Sequence, residues 1–332
     1  VGLYPRLASG EKPSALYDKV MRLVEATAPY AACFKPNIAF YEAYGADGLD
    51  ALQRIIAQAS QLAPVLLDAK RCDIGPTAEA YAKACFDELK AEAVTLSPYM
   101  GRDAVDPFLS YPDACVFLLA RTSNPRAAVF QDLAVGTGLL YETVAKECAS
   151  WSDRVGLVAA GNDPVGLAAV RRVAPNAWLL APGIGAQGGS VSEAYAAGAR
   201  ADGSGIIPVA ARSVADASDP AQAARALVDD MKRAADAAHS AKTAKKSPDA
   251  LKMRIMRGLV DTRCFKTGSF TLKSGKISPF YVDLRRVISD PLLLDAVASA
   301  YAKAAEGIAF DRIAGIPAAA LPLATAVSLK MG

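Results

Sequence analysis

The stretch Val65-Leu66-Leu67-Asp68-Ala69-Lys70-Arg71-Cys72-Asp73-Ile74 decides how the chain is read. Pro64 opens an apolar run of strand type that turns, within two residues, into alternating acid and base. Successive residues of a strand face opposite sides, so Asp68 and Lys70 leave it on one face. Asp73 follows where a βα loop should begin, and a helical pattern runs from Thr77 to Leu89. In parallel α/β folds, the C-terminal end of a strand is where chemistry collects. Alone, an Asp-x-Lys pair reads as a structural ion pair at a strand end. Its surroundings point further.

On either side, short apolar runs alternate with amphipathic stretches. The strand candidates are Val1–Leu3, Ala32–Lys35, Val65–Lys70, Ala93–Ser97, Cys115–Ala120, Val155–Ala159, Trp178–Ala181 and Gly205–Pro208. Helical patterns between them include Ser14–Thr27, Gly48–Leu62, Leu139–Ala149 and Val165–Val173, and a last one runs from Pro220 to about Ala238. Eight βα units in one block fit a (β/α)8 TIM barrel over residues 1–233; a doubly wound open sheet is the alternative. Residues 234–250 shift to Ala, Lys and Ser and read as a solvated linker or a frayed helix end. A second α/β segment fills 251–332, with helices Leu251–Thr262, Pro291–Ala305 and Leu321–Leu329 and strands Phe270–Leu272, Tyr281–Leu284 and Arg312–Ile316. It is too short for a complete α/β domain.

Composition narrows the chemistry. The 332 residues are 52% hydrophobic and 21% charged, enough for a sizeable core and about two domains. Lys+Arg 37 against Asp+Glu 34 leaves +3, which argues for neither nucleic acid nor an anionic membrane surface. No apolar run approaches the length of a membrane span. The 6 cysteines form no CxxC pair, so no zinc site or disulfide framework is indicated, and a reducing compartment fits. His239 is the only histidine, which speaks against Ser-His-Asp triads, Cys-His pairs and His-rich metal sites. Acid–base work falls to Lys and Asp. Val1 starts inside a strand pattern and Gly332 ends directly after a helical one, so no targeting signal can be read.

Two further features surround the charged strand. Gly183, Gly185 and Gly188 match G-x-G-x-x-G, a dinucleotide fingerprint when read blindly, with Asp202 near the acid position. Such a fingerprint belongs to the first βα turn of its domain, whereas six βα units precede this one. In a barrel, the loops after strands seven and eight form a common phosphate site, which suits this Gly-rich loop and Arg212. Lys35 ends the preceding strand candidate and can lie beside Asp68 and Lys70. An alternating Lys-Asp-Lys-Asp string keeps its members ionised. Buried ion pairs rarely stabilise relative to apolar packing, so a catalytic use is the better reading.

The motif Asp68-x-Lys70-x-x-Asp73, with Lys35 before it and Pro182-Gly183-Ile184-Gly185-Ala186-Gln187-Gly188-Gly189 after it, resembles orotidine 5′-phosphate decarboxylase over roughly Val1 to Lys232. The resemblance implies decarboxylation of a nucleotide to UMP without metal or cofactor. Lys70 would stabilise and protonate the carbanion, Asp68 would face the departing carboxylate, and Lys35 and Asp73 would complete the array. Thr77 and Asp73 would reach a neighbouring subunit's site, implying a homodimer or higher homo-oligomer. Ser123, in Arg121-Thr122-Ser123-Asn124, would read the pyrimidine; Gln187, Arg212, Gly185 and Gly188 would hold the phosphate.

The second segment, with Phe270-Thr271-Leu272-Lys273-Ser274-Gly275 and Ser278-Pro279-Phe280-Tyr281, resembles the N-terminal part of orotate phosphoribosyltransferase. Gly315-Ile316-Pro317-Ala318-Ala319-Ala320 is similar to that family's pyrophosphate-side loop. Lys273 and Tyr281 match orotate-side positions. The whole resembles bifunctional UMP synthases with the decarboxylase first, whose full-length members are expected to use Mg2+ for the transferase step and to reside in the cytoplasm or a glycosome-type peroxisome.

Two positions depart from the pattern. Tyr4, in Val1-Gly2-Leu3-Tyr4-Pro5, stands where the family has a ribose-contacting Asp. Cys72 stands where glycine is common, a strained choice if that backbone needs positive φ. The alternatives kept are a metal-dependent sugar-phosphate decarboxylase of the same barrel group and a catalytically impaired nucleotide-binding remnant.

Overall fold

The structure is a computed structural model that describes every residue except 10, 137, 186–187, 245–247, 272–276, 316–319 and 332. The chain divides into two compact units, Val1–His239 and Ser240–Gly332.

In the first unit the eight expected apolar runs are strands: β1 (Gly2–Leu3), β2 (Lys35–Pro36), β3 (Leu66–Arg71), β4 (Ala93–Leu96), β5 (Cys115–Arg121), then, after a two-stranded hairpin β6 (Ala134–Val135) and β7 (Gly138–Leu139), β8 (Val155–Ala159), β9 (Leu179–Pro182) and β10 (Ile206–Val209). Strands β3, β4, β5, β8, β9 and β10 form one parallel sheet in that order. β1 pairs with β2 in parallel, and bridges Phe34↔Val65 and Asn37↔Asp68 join β2 to β3. The ring closes where the Gly2 N–H donates to the Ala210 carbonyl at 2.7 Å. This is a barrel; the open-sheet alternative falls because both edges of the sheet are taken.

Strand alternation sorts the side chains. Leu66, Phe117, Val158, Leu180 and Val209 pack inside the barrel, while Leu67, Leu118, Leu157 and Leu179 face the surrounding helices. A Cβ at Gly156 would stand 2.4 Å from the Phe117 ring, so the absence of a side chain there lets the largest interior residue fit. The outer helices include α1 (Ala15–Thr27), α2 (Ala39–Glu42), α3 (Gly45–Ala59), α4 (Gly75–Lys83, prolonged by a wider turn to Glu88), α5 (Asp106–Leu109), α6 (Ala128–Gln131), α7 (Leu140–Ala149), α8 (Pro164–Val173), α9 (Val191–Gly198), α10 (Arg212–Ala215) and α11 (Pro220–Ala244). Arg171 staples this layer from within. Its buried guanidinium donates to the carbonyls of Gly198, Ala174, Pro175, Ala177 and Gly205.

Helix α11 continues through most of the stretch expected as a linker, as far as Ala244, because that Ala- and Lys-rich composition has high helix propensity. The second unit holds α12 (Pro248–Asp261), an antiparallel pair β11 (Phe265–Thr271) and β12 (Ile277–Val282), α13 (Pro291–Ala305) and α14 (Leu321–Met331). Its core is small: Cys264, Val287, Leu293 and Val297. Asp290 caps α13 by accepting from the N–H groups of Leu292 and Leu293. The strand expected at Arg312–Ile316 is not formed over residues 312–315, which pair with no strand among the described residues; Ile316 lies outside them. An apolar run becomes a strand only when a neighbour completes its ladder. Among the described residues no helix is long and apolar enough to cross a membrane.

Candidate active site

The C-terminal ends of the barrel strands converge on the Asp68 carboxylate. Oδ2 accepts from Lys35 Nζ at 2.5 Å and from Asn37 Nδ2 at 3.4 Å; Oδ1 accepts from Lys70 Nζ at 2.5 Å and from the Thr95 hydroxyl at 3.0 Å. The side chains of Lys35 and Asp68 are only 4% and 7% exposed, whereas that of Lys70 is 48% exposed. One carboxylate thus holds two ammoniums, one sealed in and one facing the open mouth.

Burial alone would push the Asp68 carboxyl up; Lys35 and Lys70, by charge and hydrogen bond, outweigh it and hold it at about 2. Burial pulls Lys35 down, against the facing carboxylate. The first shift favours the charged form of its group and the second opposes it. The 2.5 Å bond and the second ammonium on Asp68 favour the ion pair at neutral pH. Burial, with Asp68 beside it, pushes the Tyr4 phenol well above its ordinary range, so Tyr4 is a neutral hydroxyl. Its oxygen accepts a hydrogen bond from Lys35 Nζ.

The strand does not reach Lys70 by simple alternation. The β3–β4 register shifts between Leu67 and Arg71, and Lys70 sits at φ 47°. A non-glycine residue in the left-handed region carries strain, which gathers at functional sites. Thr95 compensates: its hydroxyl accepts from the Lys70 N–H at 3.0 Å while donating to Asp68. The condition that would strain Cys72 is not met: the positive φ falls on Lys70 instead.

These groups line a cavity of about 480 Å³ with Leu119, Thr122, Ser123, Asn124, Gln131 and Val158. Arg121, at the end of β5, anchors the loop that supplies Ser123. Its guanidinium bonds Asp163 at 2.8 Å and Asp132, and Gln131 bonds both the N–H and the hydroxyl of Thr122. A second cavity of about 500 Å³ lies alongside, bounded by Gly183, Ile184 and Arg212. Gly185 (φ +78°) and Gly188 (φ +86°) follow Gly183 and Ile184 in the Gly-rich loop. Their N–H groups, expected to face a phosphate, donate instead within the loop, to Gly189 and Gly185 carbonyls. The tight turn that positive φ permits consumes the donors.

Lys35, Asp68, Lys70 and Ser123 therefore meet in one cavity, and Arg212 lines its neighbour. Asp73 stands apart from the array, its carboxylate accepting from the Ile74 N–H at 2.8 Å, and Thr77 is exposed on α4. Gln187 and Lys273 lie outside the described residues. Tyr281, in the second unit, packs on Phe270 with ring centroids 5.7 Å apart. Thr95 and Asn37 escaped the sequence reading. Thr95 is 1% exposed, and a single threonine in the Ala93–Leu96 run carries no sequence signal that marks it.

The sequence profile described as "Orotidine 5'-phosphate decarboxylase / HUMPS family" matches residues 12–227. The orotidine 5′-phosphate decarboxylase of Azoarcus sp. is 46% identical over 222 residues, covering 65% of this chain and 82% of that protein. The bifunctional enzyme PyrF/PyrE of Nostoc sp. is 34% identical over 337 residues, 98% of this chain and 70% of that protein. Among solved structures, Leishmania donovani UMP synthase superposes with a TM-score of 0.73 and 46% identity, over 99% of this chain and 72% of that one. On this likeness the chain belongs to the orotidine 5′-phosphate decarboxylase / HUMPS family.

Proposed function

We propose that the barrel decarboxylates orotidine 5′-phosphate to UMP, with the protein's own charges as its only catalytic groups. The observation that carries this is the Asp68 carboxylate, 7% exposed and bonded to two ammoniums. A pyrimidine nucleotide whose carboxylate approaches Asp68 places two like charges ~4 Å apart, a repulsion of about 4 kcal/mol at an effective dielectric of 20. The bond from C6 to the carboxyl carbon breaks, CO2 leaves, and the electron pair remains on C6. The Lys70 ammonium stabilises that carbanion and then gives it a proton. Lys35 keeps Asp68 charged throughout, so the field is in place before the bond breaks. Lys70, half exposed, regains its proton from solvent.

Ser123 faces the same cavity and is suited to the pyrimidine edge, while Arg212 supplies charge for the phosphate. Binding energy gathered there can be used at the reacting carbon. Asp73, bonded to the Ile74 N–H, and Thr77, exposed on α4, are read as contributions to a second copy's site in a homodimer. Both Asp68 oxygens are engaged by ammonium, hydroxyl and amide donors, which favours this reading over a metal-dependent sugar-phosphate decarboxylase.

The second unit is read as the N-terminal part of an orotate phosphoribosyltransferase domain. Supporting this are the Phe270–Gly275 and Ser278–Leu284 motifs and the Nostoc and Leishmania likenesses, which run the length of the chain. In that reading Mg2+ belongs to the transferase step of a longer parent. The test of the main proposal is loss of orotidine 5′-phosphate absorbance with purified chain in excess EDTA, beside Asp68→Ala. Turnover abolished in the variant supports it. Silence of a folded wild-type chain, or activity lost to EDTA, overturns it.

A further inference from the structure

The cavity holding the charge array and the cavity holding Arg212 share two walls, Tyr4 and Pro182. Pro182 belongs to β9, where the Val209↔Pro182 register fixes it to the neighbouring strand. Tyr4 follows β1 and lies in no strand or helix. Its side chain is held from several directions. Its hydroxyl oxygen accepts from Lys35, the same ammonium lies 4.7 Å from its ring centroid, and the ring stacks on Phe40 at 5.5 Å and 11°. A Cβ at Gly2, two residues earlier, would come within 2.9 Å of Ala211 Cβ and 3.2 Å of the Tyr4 ring, so a glycine there leaves room for both.

A nucleoside monophosphate must reach both cavities at once, with its base beside Lys70 and its phosphate beside Arg212. The ribose then has to cross where Tyr4 stands. We propose that Tyr4 is a specificity-determining partition: its ring separates the base cavity from the phosphate cavity, and a nucleotide engages both only by turning the ring aside. The inference rests on the decarboxylase reading for its ligand. Its consequence is that phosphate contributes less to nucleotide binding than an undivided site would allow. Turning the ring aside forfeits the Lys35 hydrogen bond, the contact with its ammonium and the stacking on Phe40 together.

The test is titration calorimetry of the full chain with UMP and with uridine. The readout is the ratio of the uridine Kd to the UMP Kd, the phosphate's share of affinity. In Tyr4→Ala the ratio should rise at least tenfold over wild type; in Tyr4→Phe, which keeps the ring, it should stay within threefold. Tyr4→Asp, small and able to bond Lys35, is the second variant should Tyr4→Ala not fold, and should show the same rise. An unchanged ratio in both small variants overturns the partition. So does an equal rise in Tyr4→Phe, which would assign the effect to the hydroxyl, and so does a failure of every variant to bind UMP. Turnover of orotidine 5′-phosphate by wild type and Tyr4→Asp is read separately. A shifted ratio without turnover removes the catalytic reading and leaves the partition; turnover without a shift does the reverse.

Discussion

Replacing Lys35 and Asp68 together, as Lys35→Met with Asp68→Leu, should abolish turnover while leaving the barrel about as stable as wild type. The two side chains are 4% and 7% exposed and 2.5 Å apart. Their gross attraction is about 7 kcal/mol at an effective dielectric of 20. Against this stands a desolvation penalty of several kcal/mol for each buried ion, so the net worth of the pair lies near zero. A single Asp68→Ala change is different. It leaves the Lys35 ammonium buried with the neutral Tyr4 hydroxyl as its acceptor, which should cost about 3–5 kcal/mol. Lys35→Met should cost less, since Asp68 keeps Lys70, the Thr95 hydroxyl and Asn37. Urea unfolding of the barrel, compared at constant slope, reads all three. If the double variant is as unstable as Asp68→Ala, the array is a structural element and the case for its catalytic retention fails.

Acid should weaken the fold through the same carboxylate. Its folded value of about 2 lies below the ordinary 3.8, so its contribution, about 2 kcal/mol, is complete above pH 4 and is lost as pH falls from there toward 2. Urea midpoints of wild type should drop across that window more steeply than those of Asp68→Asn. Arg121→Met should free Asp132 and Asp163, cost about 2 kcal/mol, and raise KM several-fold by loosening the Ser123 loop; a KM equal to wild type would detach that loop from substrate binding. Gly185→Ala places a side chain at φ +78° and 3.2 Å from Ser213 Oγ. It should cost about 1–2 kcal/mol, read by urea unfolding of the barrel.

The barrel was legible because its strands are buried on both faces. Runs such as Val155–Ala159 are apolar without interruption, and Pro, Gly and amphipathic stretches separate them. The array was legible for the opposite reason: Lys35, Asp68 and Lys70 are charges at the ends of such runs. Sequence could not show that Asp73 leaves the string, since the path of a loop depends on contacts beyond its own residues. Nor could it show the φ of 47° at Lys70 or the Thr95 hydroxyl that supports it, since one threonine in a strand is ordinary β-branched filling. The Arg121 network joins residues 11 and 42 positions apart, outside any local pattern. The missing strand at residues 312–315 has the same origin, because strand propensity needs a partner that sequence spacing does not supply.

In the proposed mechanism, Lys70 delivers a proton to the carbon that loses CO2. The most direct test is turnover of orotidine 5′-phosphate in D2O, with the UMP product examined by proton NMR at C6. Wild type should give UMP carrying deuterium at C6, and Lys70→Ala should give no product. UMP with hydrogen at C6, or turnover by Lys70→Ala at the wild-type rate, would contradict it.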